Sequence, residues 1–323
     1  MNMPTVPERP FGKTGETCSA ISLGTNFPGF AGFDRSIETI RRAFDLGIRY
    51  FDTSVMYQSG ASQAILGAAL AGKTEKHFVS TKVGFFKEAR HFRSVEALHV
   101  QLRESLRLLR RDSVDLLQIH EADWDNWWTD RTEVRPCELF DLEADFDFAN
   151  APVIQFLREA RGLGLCRRIG ITGNNARHIG RLVRELDGLD SVLIAYNYIP
   201  INVTAREHII PAAEAKGVAV IVAGIFTFVH SIPKGWRTEG TYFGKYADQQ
   251  LAQLQKLQQE CGIPMMELAL RFVAADQRIT SLLLGACHPV EVEQNLTSFA
   301  RGPLPSDVHA AVEKIAGAFE PLN

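Results

Sequence analysis

The sequence predicts an α/β protein folded as a closed (β/α)8 barrel of the TIM type, with an N-terminal β-hairpin and an extra C-terminal helix. Three observations carry this. Eight short apolar runs recur at 19–24, 48–51, 78–81, 115–119, 168–171, 191–195, 218–223 and 281–284. Helix-periodic stretches lie between them. No linker, low-complexity tract or shift of composition divides the 323 residues. Residues 1–323 therefore read as one barrel domain, since α/β barrels commonly reach this length undivided.

Taken in order, RPFGKTGETC (9–18) sets Lys13, Thr14 and Gly15 between short extended pieces and reads as a hairpin closing the barrel bottom. The strand runs are apolar without strict alternation, as parallel strands covered by helices require. Residues 35–46 place Ile37, Ile40, Ala43 and Phe44 on one helical face. Residues 94–110 open at an N-cap, Ser94, and carry a stripe of Ala97, Leu98, Leu102, Leu106 and Leu109. Further helices are expected at 61–71, 151–162, 175–186, 206–216, 248–260, 264–275 and 288–298, and the amphipathic stretch 306–319 follows the eighth unit. A repeating βα pattern implies a parallel sheet. Two connections are long: 121–150, rich in Trp and acidic residues, and 226–247, with aromatics, Gly and Lys. Connections of this length inside a compact domain are usually functional or disordered.

Composition narrows the function classes. The formal net charge of −3 gives no global attraction to nucleic acid or anionic membrane. No apolar run approaches the roughly 18 residues of a membrane helix, and MNMPTVPERP lacks the apolar core of a secretory signal. The cysteines at 18, 137, 166, 261 and 287 are scattered, with no CxxC, which fits a reducing, cytoplasmic setting. The sequons at Asn202 and Asn295 then read as chance matches. There is no HExxH and no Cys/His cluster, so no metal site is expected. No GxSxG marks a serine hydrolase, and no GxGxxG follows the first strand. A literal GxxxxGK[ST] runs from Gly67 to Thr74, but Ile65, Leu66, Ala69 and Leu70 keep helical spacing through it. A phosphate-binding loop needs the opposite order, strand before helix; Gly72 reads instead as a helix C-cap, with Lys73 near the negative helix end.

In such barrels the chemistry sits at the C-terminal ends of the strands. Asp52 follows IRYF, with Tyr57 in the next loop; Lys82 follows FVST; His120 follows DLLQI. A lone Asp at a strand end is often a cap, and a lone Tyr is often core. Four ionisable groups ending three successive strands converge on one mouth. They suit proton transfer coupled to hydride transfer. A carbonyl that accepts hydride becomes an alkoxide and must be protonated. The Tyr57 phenol would supply that proton. Lys82 would stabilise the phenolate and lower its pKa, Asp52 would hold Lys82, and His120 would orient the carbonyl oxygen.

These residues lie in stretches that resemble the aldo-keto reductase superfamily over nearly the whole chain: PFGKTGETCSAISLGT, GIRYFDTSVMYQSGASQAILGAAL, VSTKVG, SLRLLRRDSVDLLQIHEAD and GLCRRIGITGNN. GITG resembles the sugar-dehydrogenase branch, that of galactose, fucose and threo-aldose dehydrogenases. The resemblance implies Tyr57 as proton donor in reduction, Lys82 and Asp52 as its tuning pair, and His120 as the orienting group. It implies no metal and a monomer or loose oligomer. It implies an NAD(P) site touching Gly24, Thr25, Asp52, Thr172, Asn174, Tyr196, Ala223, Gly224, Gly285, Glu291 and Asn295. Where relatives often carry Gln on the sixth strand this chain has Ala195, with Asn197 as a substitute. The aromatic after the seventh strand is replaced by Ala223 to Phe226, leaving Tyr196 to stack. Residues 282–295 contain no Lys or Arg, and Glu291 stands where a phosphate-gripping Arg would fall. A carboxylate accepts from a ribose 2′-hydroxyl and repels a 2′-phosphate, so NAD is favoured over NADP.

Asn26, Phe27, Phe85, Trp124 and Trp127 are the expected substrate contacts, since aromatic residues near a carbonyl site favour apolar rings or the C–H faces of sugars. Asp123, Asp125 and Asp130 are either hydroxyl ligands or a solvated face. The expected substrate is a small carbonyl compound or a sugar, bound without nucleic acid or membrane. Two other readings remain at this point: a non-catalytic, cofactor-binding regulatory or redox-sensing subunit, and an NAD-dependent aldose 1-dehydrogenase.

Overall fold

Eight parallel strands close on themselves in the computed structural model of the chain, which describes residues 5–26, 31–130, 133, 138–232 and 243–321. Strands β1 (Glu8–Pro10) and β2 (Thr17–Ser19) form an antiparallel hairpin with Arg9 opposite Cys18. The barrel follows as β3 (Ile21–Gly24), β4 (Tyr50–Asp52), β5 (Phe78–Val83), β6 (Val114–Ile119), β7 (Cys166–Gly173), β8 (Ser191–Ala195), β9 (Ala219–Ala223) and β10 (Ser281–Gly285). Each strand pairs with its sequence neighbour, and β10 returns to β3. This is the predicted barrel, and the expected hairpin precedes it.

The helices are α1 (Phe33–Asp45), α2 (Ala61–Leu70), α3 (Val95–Leu109), α4 (Pro152–Gly162), α5 (Ala176–Glu185), α6 (Ala205–His208), α7 (Ile210–Lys216), α8 (Ala247–Cys261), α9 (Met265–Ala274), α10 (Pro289–Ala300) and α11 (Ser306–Ala316). Ser94 caps α3 by accepting from the Ala97 N–H at 3.2 Å. The single helix expected at 206–216 is divided into α6 and α7. Pro211 has no N–H to continue a helix and is tolerated only in a first turn, so the helix restarts around it.

The hairpin plugs one end of the barrel. Phe11 is wholly buried and packs inside it with Tyr50, Phe78, Leu116, Leu193 and Ile221. The Lys13 N–H bonds the Gly217 carbonyl at 2.9 Å. Burying such a ring is worth about 1.5–3 kcal/mol. The opposite end, where the strands terminate, is left to the loops.

Gly67 lies in the middle of α2. A Cβ there would stand 2.6 Å from the Leu108 carbonyl oxygen, so the glycine lets α2 and α3 approach closely. The Lys73 ammonium bonds Asp45 at 2.8 Å and lies over the Phe44 ring. The literal phosphate-loop match is therefore a helix and its exit. Among the described residues no helix is long and apolar enough to cross a membrane. Cys18, Cys166, Cys261 and Cys287 are free thiols, and Cys137 lies outside the described residues.

Candidate active site

Parallel register brings the predicted residues together. Asp52, at the last position of β4, stands opposite Gly24 on one side and Ser80 on the other; Lys82 of β5 stands opposite Gln118 of β6. Side chains two apart on a strand share a face. Ser80 and Lys82 thus turn inward together, as do Gln118 and His120. Asp52 and Lys82 are fully buried and ion-paired. The Lys82 ammonium also donates to the Thr53 carbonyl at 2.9 Å. The second oxygen of Asp52 accepts from Ser80 Oγ at 2.5 Å and Gln118 Nε2 at 3.2 Å. Two buried charges survive only when their remaining hydrogen-bonding capacity is filled, and Ser80 and Gln118 do this. The sequence reading missed both; period-two polar residues inside apolar strands were the available signal.

Tyr57 opens a 3-10 turn, Tyr57–Gly60, directly after the β4 loop. Gln58 and Ser59 follow it at φ 47° and 54°. Left-handed backbone costs a non-glycine residue about 1–2 kcal/mol, and such strain gathers at functional sites. The Lys82 ammonium lies 4.8 Å from the Tyr57 ring centroid, and the His120 ring is 5.7 Å away, edge-on. Burial, then Asp52 and Glu121, push the Tyr57 phenol well above its usual range. This corrects the expectation of a lowered pKa. The ammonium sits over the ring face, and burial is the largest cause of the upward shift. Burial pushes Lys82 down while Asp52 opposes the change. Burial and the neighbouring Lys82 hold His120 well below the usual histidine range, so its ring is neutral near pH 7.

The start of the long fourth loop, 122–128, is packed rather than open. Trp127 is fully buried, and its indole N–H is shared between the His120 and Glu121 carbonyls at 3.2 and 3.1 Å. Trp128 donates to the Ala122 carbonyl at 2.7 Å. Trp127 thus presents no surface to a substrate. It fixes the chain that carries His120. Trp124 is also buried and meets Phe85 edge-on, and Phe85 in turn packs on the His120 ring with centroids 4.6 Å apart. Phe85 is the expected aromatic with surface left beside the imidazole. Asn26 is exposed and accepts from Gln58 Nε2 at 3.4 Å; Phe27 lies outside the described residues.

Of the acidic residues in the loop, Asp123 and Asp125 are buried, and Asp130 pairs with Arg93 at 2.7 Å. Asp123 accepts the Asn174 and Asn175 backbone N–H groups at 2.8 and 2.7 Å, so it anchors the exit of β7 rather than a ligand. Glu121, which the sequence reading passed over, follows His120 at φ 52°. One of its oxygens accepts from Asn174 Nδ2 at 2.9 Å; the other is closed to solvent with no partner among the described residues. Burial, then Asp123, push its carboxyl up to about 8, and burial pushes Asp123 up to about 6.

The expected cofactor contacts divide. The Thr25 hydroxyl is fully buried between the Asp52 carbonyl at 3.0 Å and Ser62 Oγ at 2.6 Å. It braces β4, so its hydroxyl is turned away from the barrel mouth. Thr172 Oγ1 accepts the Glu121 N–H at 2.9 Å. Tyr196 sits at φ 69° against Gly224, where a Cβ would fall 2.7 Å from its ring. The missing side chain at 224 is what admits this aromatic face beside Ala195 and Ala223. Asn197 is buried, with Oδ1 lacking a partner among the described residues. Gly24 and Gly285 end paired strands, and open space surrounds Gly285 where a Cβ would be. Asn295 Nδ2 reaches the Gly285 carbonyl at 3.5 Å. Glu291 caps α10, one oxygen accepting from the Cys287 N–H at 2.7 Å and the His288 N–H at 3.4 Å. An aromatic face, bare strand ends and two orphaned buried acceptors fit a nicotinamide ring with a carboxamide.

Comparison with known proteins agrees with this geometry. The model of the aldo/keto reductase family matches residues 20–316. L-galactose dehydrogenase of Arabidopsis thaliana is 27% identical over 309 residues, covering 92% of this chain and 89% of its own. D-threo-aldose 1-dehydrogenase of Pseudomonas sp is 25% identical over 307 residues, covering 85% and 86%. Aldo-keto reductase AKR11C1 from Bacillus halodurans, in its holo form, superposes with a TM-score of 0.76 at 22% identity, covering 98% of both chains.

Proposed function

Because the chain belongs to the aldo/keto reductase family, we propose that this oxidoreductase moves a hydride between NAD(H) and a hydroxylated aldehyde or cyclic aldose, with Tyr57 handling the proton. The observation that carries the reading is the meeting of Tyr57, His120 and the buried Lys82–Asp52 pair at one end of the barrel. The bound nicotinamide would supply or accept the hydride; Tyr196, Asn174 and Asn197 would hold it. The chain's own residues do the rest. The Tyr57 hydroxyl and the His120 imidazole face the substrate oxygen. Tyr57 gives up its proton as negative charge builds there, and Lys82 balances the phenolate left behind. In the oxidative direction the proton returns along the same path. Phe85 offers an aromatic face for sugar C–H groups. The sugar-dehydrogenase relatives support the aldose end of the substrate range.

The preference for NAD rests on Glu291. Its carboxylate already takes the Cys287 and His288 N–H groups just before α10, close to the positive helix end where an anion would otherwise be drawn, and it repels a 2′-phosphate. Glu291→Gln is expected to raise the NADP/NAD ratio of kcat/KM about tenfold, equivalent to about 1.4 kcal/mol. An unchanged ratio would reduce Glu291 to a helix cap. The test of the whole reading measures NAD and NADP reduction with aldoses, and NADH and NADPH oxidation with aldehydes. Turnover is expected, faster with NAD(H). Cofactor binding without turnover in any pairing would instead mark a regulatory or redox-sensing subunit.

A further inference from the structure

We infer that Ser54 is a positioning residue that fixes the His120 tautomer, holding Nε2 as the N–H donor toward the substrate oxygen. The assignment rests on the proposed reaction for its purpose and on hydrogen-bond accounting for its geometry. Ser54 is wholly buried, and its Oγ lies 2.9 Å from His120 Nδ1. The same Oγ accepts the Met56 N–H at 3.2 Å. Among the described residues the Ser54 hydroxyl has one acceptor, His120 Nδ1. If Nδ1 carried the proton, the buried hydroxyl proton would have nowhere to go, and buried donors are rarely left unmet. The hydroxyl therefore donates and Nδ1 accepts.

A neutral imidazole with Nδ1 as acceptor carries its proton on Nε2. That nitrogen has no partner among the described residues. The rest of the ring is walled by Tyr57 and Phe85, and the His120 carbonyl is tied to Trp127. A donor at Nε2 suits an oxygen that gains negative charge; the opposite tautomer would set a lone pair against it. Ser54 also links two machines. Its carbonyl accepts the Tyr57 N–H at 3.2 Å, so one residue sets both the turn that carries the phenol and the ring that shares its substrate.

The experiment is 15N–1H NMR of the histidine ring in the full-length protein, for wild type, Ser54→Ala and Ser54→Thr, beside steady-state kinetics. Wild type is expected to show the Nε2–H tautomer. Ser54→Ala is expected to give a tautomer mixture and lose about 10- to 100-fold in kcat, in the range for residues that orient a working histidine from behind, with cofactor affinity retained. Ser54→Thr is expected to restore both signals. An Nδ1–H tautomer in wild type overturns the inference, and this holds even if the alanine variant does not fold. An undisturbed tautomer in a folded Ser54→Ala overturns it as well. A wild type with the Nε2–H tautomer and no turnover would sink the proposed reaction and leave the positioning role standing.

Discussion

Tyr57→Phe is expected to lower kcat by about 10²–10⁴-fold, the usual contribution of a general acid, while cofactor affinity is retained. The substitution removes one oxygen. The ring keeps its edge contact with His120 and its place beneath the Lys82 ammonium, so packing is conserved and the loss reports the hydroxyl. The pH profile of the wild type follows from the same group. Burial, with Asp52 and Glu121 nearby, raises the phenol above its ordinary range. A raised pKa keeps the acid form present through neutral pH. Carbonyl reduction should therefore hold a plateau on the acid side of that pKa and fall only in alkali. Stopped-flow or steady-state rates across pH would check this. A variant that keeps wild-type turnover would remove Tyr57 from the mechanism.

Lys82→Met is expected to have the second large effect, on stability and rate together. Asp52 would remain fully buried with, among the described residues, Ser80 and Gln118 as its side-chain donors. Breaking a buried pair by deleting one partner costs about 3–5 kcal/mol, and the phenolate formed at Tyr57 would lose its nearest cation. Adding Asp52→Asn to Lys82→Met removes the stranded charge. The double variant should regain much of the lost thermal stability and none of the activity. Melting curves and rates on the two singles and the double complete the cycle. If the double variant melts as low as Lys82→Met, the cost lies in packing, not in the unpaired charge.

The barrel and the four converging residues were readable because they are written in local pattern. Apolar runs mark strands, and the residue ending each run marks the mouth. The division of α6 from α7 was equally written, at Pro211, but periodicity alone ran through it. Other features depend on contacts between distant segments. Nothing in FDTSV tells that Ser54 reaches His120, 66 residues on. Trp127 read as a substrate contact because its residue type favours sites, yet its indole N–H was needed by backbone carbonyls of its own loop. Thr25 is a cofactor contact by resemblance, and its sequence position does not tell that its hydroxyl reaches back to brace β4. The direction of the Tyr57 shift is set first by burial and then by Asp52 and Glu121, and burial of a loop residue is decided by the segments that fold over it.

The central claim is that this chain transfers a hydride rather than merely holding a nicotinamide. The most direct measurement uses NADH deuterated at its transferable position with an aldehyde substrate, followed by mass spectrometry of the alcohol. One deuterium is expected on the former carbonyl carbon with wild type, and almost none within the same time with Tyr57→Phe. Saturable binding of the cofactor with no deuterium in the product of the wild type, across hydroxylated and plain aldehydes, would contradict it.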